Sequence, residues 1–369
     1  MSVTTSPTAA RLRHAAIPVV ALALFAVTLG WSPGTPILIV LAAVLALAVL
    51  EAVHHAEVVA LRVGEPLGSL VLAVSVTVIE VGLIVVLMLS SPETTAGIAR
   101  DTVFAAAMIS CNGIVGGALI IATMRGRIAT FNPEGVGGAV AAIGALATLS
   151  LVLPNYTISA PGPYFTTTQL IFAAIASLGI YLAYVLAQTV RHRDFFLPEE
   201  SEQSATDAAA ELHAERPSKR EAAISLALLT AALVAVVGLA KATSPLIKDA
   251  VQGAGLPETV VAVTIALLVL LPESLSALRS ARRGRIQTSL NLAYGSTMAS
   301  IGLTIPVIAA ISLIFDLDLA LGLSASDTVL LVLTLVVATL TVVPGRSILL
   351  QGVVHLSIFA AFLVLAFNP

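Results

Sequence analysis

Glu80 lies inside LVLAVSVTVIEVGLIVVLML and Glu273 inside VVAVTIALLVLLPESLSAL, and each is the only acid of its apolar run. A carboxylate at the middle of a bilayer costs at least about 2.5 kcal/mol on insertion scales, so such an acid is a functional site by default. Their surroundings match. Glu65 precedes Glu80 by fifteen residues, Glu258 precedes Glu273 by the same interval, and each opens the stretch that carries the later acid. Fifteen helical residues advance about 22 Å and leave the two acids of a run about 60° apart in azimuth. Each run therefore offers an entrance or gating carboxylate and a central one on similar faces. Two carboxylates brought into one poorly solvated site cannot both stay charged without a cation, and at least one binds a proton near neutral pH. Proton and cation then compete for the same oxygens, which is the minimum chemistry of cation/proton exchange. In that reading Glu80 and Glu273 are the metal-binding groups.

Oxygen donors stand beside both acids. Thr77, one turn before Glu80, either supplies a hydroxyl ligand or bonds back to its own helix. Pro272 removes a backbone donor next to Glu273, which frees a carbonyl near the site or simply kinks the helix. Hard cations favour oxygens of this kind. Two further stretches, ISCNGIVGG around Asn112 and NLAYGSTMASIGLTIP around Ser300, set polar groups among small residues. They complete the site in one reading and serve close helix packing in the other. EAVHHAEVVALR gathers Glu51, His54, His55 and Glu57 into one and a half turns. Such spacing suits zinc, but no second ligand cluster appears in another run. His54, His55 and Glu57 are instead candidate pH-sensing groups, since histidine titrates near neutrality, with an ordinary polar helix end as the plain reading.

The elements that position these groups are membrane spans. A chain of 369 residues that is 58% hydrophobic and 11% charged is a polytopic all-α membrane protein. The single cysteine, Cys111, excludes a disulfide framework or a thiolate metal cluster. Eleven runs long enough to cross about 30 Å fall at 15–31, 36–54, 67–90, 101–124, 136–153, 167–190, 222–241, 257–278, 287–313, 326–343 and 348–367. RLRHAAIPVVALALFAVTLG has the basic flank and apolar core of a signal peptide without a small-x-small cleavage site, and reads as a retained first span. With a cytoplasmic N-terminus, fifteen of the 18 Lys and Arg residues fall on the inner side and Arg100, Lys241 and Lys248 on the outer. That asymmetry follows the positive-inside rule and puts the C-terminus outside. Asp101, Asp249, Asp316, Asp318 and Asp327 fall at or beyond span ends, where solvent is expected to satisfy them.

Residues 191–221 form the only long polar segment, with seven acids from Asp194 to Glu215, and read as a cytoplasmic linker. It divides the chain into a tail and extra helix (1–34), a five-helix repeat (35–190) and a second five-helix repeat (222–369). Repeats with an odd number of spans must be inverted relative to each other, a layout that sets substrate sites near the bilayer midplane. Glu80 and Glu273 then approach that midplane from opposite faces.

HHAEVVALRVGEPLGSL, VTVIEVGLI, CNGIVGG, LLPESLSAL and NLAYGSTMASIGLTIP resemble the Ca²⁺:cation antiporter superfamily, and within it the ChaA-like branch of the bacterial calcium/proton exchangers. The resemblance covers nearly the whole chain after the first span. It implies eleven helices, two inverted five-helix repeats, central acids at Glu80 and Glu273, small polar helices at Asn112 and Ser300, and exchange of a cation for protons. Calcium exchangers of this superfamily resemble G-N-x-x-E at the central acids, whereas residues 76–80 read VTVIE and 269–273 read VLLPE. The ChaA-like branch is associated with sodium and potassium as well as calcium. The expectation is a secondary transporter, not an enzyme, that exports Ca²⁺, with Na⁺ and K⁺ as further or alternative cargo, from a bacterial cytoplasmic membrane. Its partners are the lipid bilayer, cations and protons, with no cofactor and no nucleic acid. A cation channel or an intramembrane metalloenzyme would lack, respectively, the proton coupling and a second catalytic cluster.

Overall fold

The computed structural model describes residues 7–29, 34–64, 67–90, 96–197, 217–257 and 259–368. Helices dominate: α1 Pro7–Thr28, α2 Thr35–Val63, α3 Leu67–Ser90, α4 Ile98–Met108, α5 Val115–Gly126, α6 Pro133–Ala147, α7 Thr167–Leu186, α8 Lys219–Gly253, α9 Thr259–Arg282, α10 Ile286–Phe315, α11 Ala325–Val342 and α12 Leu349–Phe367. A π-helical turn, Ile109–Ile114, joins α4 to α5 into one span. Among the described residues ten spans are long and apolar enough to cross a membrane. The eleventh, His14–Thr28 within α1, is a shorter apolar stretch than the run at 15–31 suggested.

Two helices outrun their apolar windows. In α2 the window ends near residue 54, yet the helix continues for about two more turns. Glu51 with Ala52, His55 with Ala56, and Val59 recur at turn spacing on its buried face. In α8 the helix passes Lys241 and ends at Gly253.

The chain divides into two compact units, Met1–Ser90 with Arg216–Gly255, and Ser91–Glu215 with Leu256–Pro369. In the first, α2 and α8 lie along each other, α1 packs on both, and α3 packs on both. Close approach rests on small side chains: Ala48, Ala52 and Ala56 on α2 and Ala232 and Ala235 on α8 are fully buried. Gly238 of α8 receives the Phe25 ring of α1.

In the second unit the α4–α5 span is central. Within its apolar window 78% is buried, against 28% for the span that begins at Thr167. It is packed against α9, α10 and α12, while α6 and α7 lie on α10 and α11 lies along α6 and α12. Outward apolar side chains such as Val329, Val336 and Leu340 on α11 remain exposed, as a lipid-facing surface requires.

Contacts between loops of this unit fall into two sets. In one, β1 (Ala129–Thr130) pairs antiparallel with β2 (Arg346–Ser347), the Asn132 backbone N–H donates to Gln287 Oε1 at 2.8 Å, and Asn291 Nδ2 donates to the Phe196 carbonyl at 2.6 Å. In the other, Ala320 N–H donates to Ala96 O, Leu321 N–H to Pro163 O, and Asn155 Nδ2 to Leu323 O. Every one of these bonds joins span ends that the span count assigns to the same side, so they agree with the parity of the spans that lie between them.

Of the five span-end aspartates, Asp249, Asp316 and Asp318 are exposed, whereas Asp101 and Asp327 are held by protein groups. Asp101 pairs with Arg100 at 2.7 Å, and the Arg100 guanidinium also donates to Gly322 O. Asp327 lies in the first turn of α11, where Ser324 caps its backbone N–H and donates to Oδ2 at 2.7 Å. Both acids sit near helix N-termini, where carboxylates satisfy orphan donors and the dipole.

Candidate functional site

Asn112 sits inside the π-helical turn and is fully buried. Such a turn inserts one residue into the helix and is often found at functional sites. The Asn112 amide is bound at both ends. Nδ2 donates to Thr334 Oγ1 at 2.9 Å and approaches Met108 Sδ at 3.7 Å, while Oδ1 lies 3.0 Å from His355 Nδ1. Thioether sulfur only accepts, which sets the amide nitrogen on the Met108 side and the oxygen on the histidine side. His355 therefore carries its proton on Nδ1, and its Nε2 accepts from the Thr341 hydroxyl at 3.2 Å. Thr334, Thr341 and His355 are themselves buried, so the network closes on protein partners.

Glycine brings α12 close enough for this. A Cβ on Gly116 would lie 3.0 Å from Gly352 O, His355 Cβ and Leu356 Cγ. Gly113, which faces the Phe359 ring, and Gly116 of CNGIVGG thus seat α12, as the close-packing reading of that motif expects.

Glu273 and Ser300 share this unit with Asn112. Gly117 of α5 faces Leu278 of α9, and α4 also lies along α9. An antiparallel pairing through Gly117 and Leu278 would run α4 past the end of α9, so the two helices are parallel. Asn112 precedes Gly117 and Glu273 precedes Leu278 by five residues, which sets Asn112 and Glu273 at one level. Pro272 lies inside an unbroken α9, leaving the Leu268 carbonyl without its usual donor, and Glu273 is half-buried. On α10, Thr297 Oγ1 lies 3.4 Å from Cys111 Sγ, and buried Ser300 follows one turn later. Three helices of one unit thus carry a carboxylate, an amide and hydroxyls around the π turn.

Glu80 and Thr77 belong to the first unit. They lie one turn apart on α3, and Glu80 is 4% exposed and Thr77 6%. Glu65 and Glu258, the expected entrance acids, lie outside the described residues.

The cluster at the end of α2 gains a member from α1. His14 Nδ1 lies 2.7 Å from Glu51 Oε2, His55 Nε2 donates to the His14 carbonyl at 3.0 Å, and the His14 and His54 rings stack with centroids 4.0 Å apart. Glu57 lies on the opposite, exposed side of α2 from buried Glu51 and His55. Among the described residues no three His, Cys, Asp or Glu side chains are arranged to hold a metal ion.

Sequence reasoning missed His14, Thr334, Thr341 and His355. The last had a signal, being the only ionisable side chain of its span. The two threonines had none, because a threonine in an apolar helix usually bonds its own backbone.

The sodium/calcium exchanger protein family model matches this chain twice, over residues 34–190 and 224–368. A Sinorhizobium fredii protein, named only provisionally as an ionic transporter (y4hA), is 45% identical over 333 residues, covering 90% of this chain and 89% of that one. The sodium-potassium/proton antiporter ChaA of Escherichia coli is 32% identical over 315 residues, covering 85% and 84%. Among solved structures, the H⁺/Ca²⁺ exchanger CAX superposes with a TM-score of 0.69 at 15% identity, covering 96% of this chain and 88% of that chain. Native YfkE superposes with a TM-score of 0.68 at 16% identity, covering 96% and 99%. These two likenesses establish the fold.

Proposed function

Because the chain belongs to the sodium/calcium exchanger family, a family of membrane cation exchangers, we propose that it is a cation/proton antiporter exporting Ca²⁺ in exchange for H⁺, with one acid from each repeat, Glu80 and Glu273, carrying the exchange. The observation that carries this reading is a carboxylate inside an apolar helix of each copy of the repeat, Glu80 buried and Glu273 half-buried, with neutral oxygen donors at hand: Thr77 with Glu80, and Asn112 and Ser300 in the unit of Glu273. A carboxylate kept inside an apolar helix is costly unless a proton or a cation neutralises it. In the cycle, the two acids lose protons to the cytoplasm, take up the cation, and release it outside as they are reprotonated. Glu65 and Glu258 serve as entrance acids. One proton per acid makes exchange for Ca²⁺ electroneutral, whereas a third proton, carried by another group, would move one net charge inward, which the membrane potential favours by about 2.3 kcal/mol per 100 mV.

The membrane in this reading is the bacterial cytoplasmic membrane, with the N-terminus inside and the C-terminus outside. His54 and His55, joined by His14 and Glu51, form a cytoplasmic pH-sensing end of α2, with Glu57 on the opposite, exposed side of that helix. Farther along α2, Arg62 donates to the Pro217 carbonyl at 3.4 Å, just before the Lys219–Arg220–Glu221 start of α8.

Na⁺ and K⁺ are the second reading of the cargo, favoured by the 32% identity to a sodium-potassium/proton antiporter and by VTVIE and VLLPE before the acids. Proteoliposomes with an interior pH dye, challenged separately with Ca²⁺, Na⁺, K⁺ and Mg²⁺, decide between them. Glu80→Gln and Glu273→Gln should each abolish cation-driven proton movement. Wild-type exchange in either variant refutes the mechanism.

A further inference from the structure

The last helix contributes a histidine that the exchange cycle above does not use. His355 of α12 is fully buried, and its Nδ1 lies 3.0 Å from Asn112 Oδ1. We propose that His355 is a positioning residue for the transported cation: it fixes the orientation of the Asn112 amide, so that Asn112 offers the cation a carbonyl oxygen rather than an NH₂ group. This rests on the reading of Asn112 as a cation ligand.

The two ends of an asparagine amide are nearly the same in shape and opposite in role, and a cation accepts only the oxygen. The Thr334 hydroxyl gives its one proton to Met108 Sδ at 3.5 Å and so accepts from Nδ2 at 2.9 Å. These two acceptors hold the nitrogen end of the amide, and His355 Nδ1–H holds the oxygen end on the other side. With Nδ1 donating, Nε2 is left as an acceptor, and the Thr341 hydroxyl 3.2 Å away donates to it. A carbonyl oxygen has two lone pairs, so the bond from His355 orders Oδ1 and leaves the second lone pair for the cation. Loss of such an outer partner generally costs 10–100-fold in metal affinity.

The test compares His355→Asn, which keeps a nitrogen donor at the δ position, with His355→Gln, which moves it one atom outward, and His355→Leu, which has none. Asn112→Ala serves as the reference. Each is reconstituted, and initial exchange rates against cation concentration at fixed pH give KM and maximal rate separately; thermal unfolding in detergent is followed in parallel. Asn112→Ala and His355→Leu should raise the cation KM by about tenfold or more, with His355→Gln close behind. His355→Asn should recover most of that loss. The maximal rate should change less than KM. A wild-type KM in His355→Leu beside a raised KM in Asn112→Ala overturns the positioning role and leaves the ligand reading standing. A wild-type KM in Asn112→Ala overturns both. Should His355→Leu fail to fold, an equal KM in the Asn and Gln variants overturns the proposal by itself, because a space-filling role would not distinguish the reach of the donor.

Discussion

Alanine at Gly116 tests the seating of α12 on the Asn112 turn. The new Cβ would meet Gly352 O, His355 Cβ and Leu356 Cγ at 3.0 Å, whereas carbon contacts settle at about 3.5–4.0 Å. One of the contacted atoms is backbone, so relief requires α12 to retreat by about 0.5 Å rather than a side chain to turn. His355 moves with α12, and its 3.0 Å bond to Asn112 is drawn toward the length at which a hydrogen bond ceases to count. Overpacking of this kind costs about 1–3 kcal/mol. The better helix propensity of alanine returns at most about 1 kcal/mol, leaving Gly116→Ala less stable by up to about 2 kcal/mol. Gly138 in α6 is the control, since a Cβ there meets nothing within 4 Å. Gly138→Ala should be neutral or stabilised by up to about 1 kcal/mol. Thermal unfolding in detergent should place the two on opposite sides of wild type, and flux in proteoliposomes should show a raised cation KM for Gly116→Ala alone. A Gly116→Ala protein as stable as Gly138→Ala, with wild-type KM, would refute the steric reasoning.

Glu80→Gln should lose transport while its melting temperature holds or rises, because the amide keeps the shape and removes a charge whose burial at mid-membrane costs about 2.5–3.5 kcal/mol; a lower melting temperature with transport retained would make Glu80 a structural group. Thr334→Val deletes the acceptor of the 2.9 Å bond from Asn112 and should destabilise by about 1–3 kcal/mol in the same unfolding assay. Ser324→Ala removes the N-cap of α11, at a cost of about 1 kcal/mol. His14→Ala breaks the 2.7 Å contact with Glu51 and should flatten the dependence of exchange on cytoplasmic pH, measured in everted vesicles; an unchanged profile would remove this cluster from pH sensing.

Much was legible before any coordinates. Apolar runs and arginine placement predict eleven spans, and the loop contacts of the second unit agree with their parity. The family model's two matches fall either side of the polar linker, as the duplicated acids suggest. Span ends were less legible. A hydropathy window stops at the first charges, whereas α2 carries Glu51 and His55 on its buried face and runs on to Val63.

Solvent chemistry therefore belongs to the sequence: lipid tolerates only closed helices and few charges, so composition and spacing alone determine the spans, the repeat and the two acids that must be neutralised. Partnership belongs to the fold. No spacing rule links Asn112 to His355, 243 positions apart, or His14 to Glu51. A hydrogen bond of about 3 Å requires two helices to approach within the space a single methyl group would fill, and only packing at Gly116 and Gly352 decides that they do.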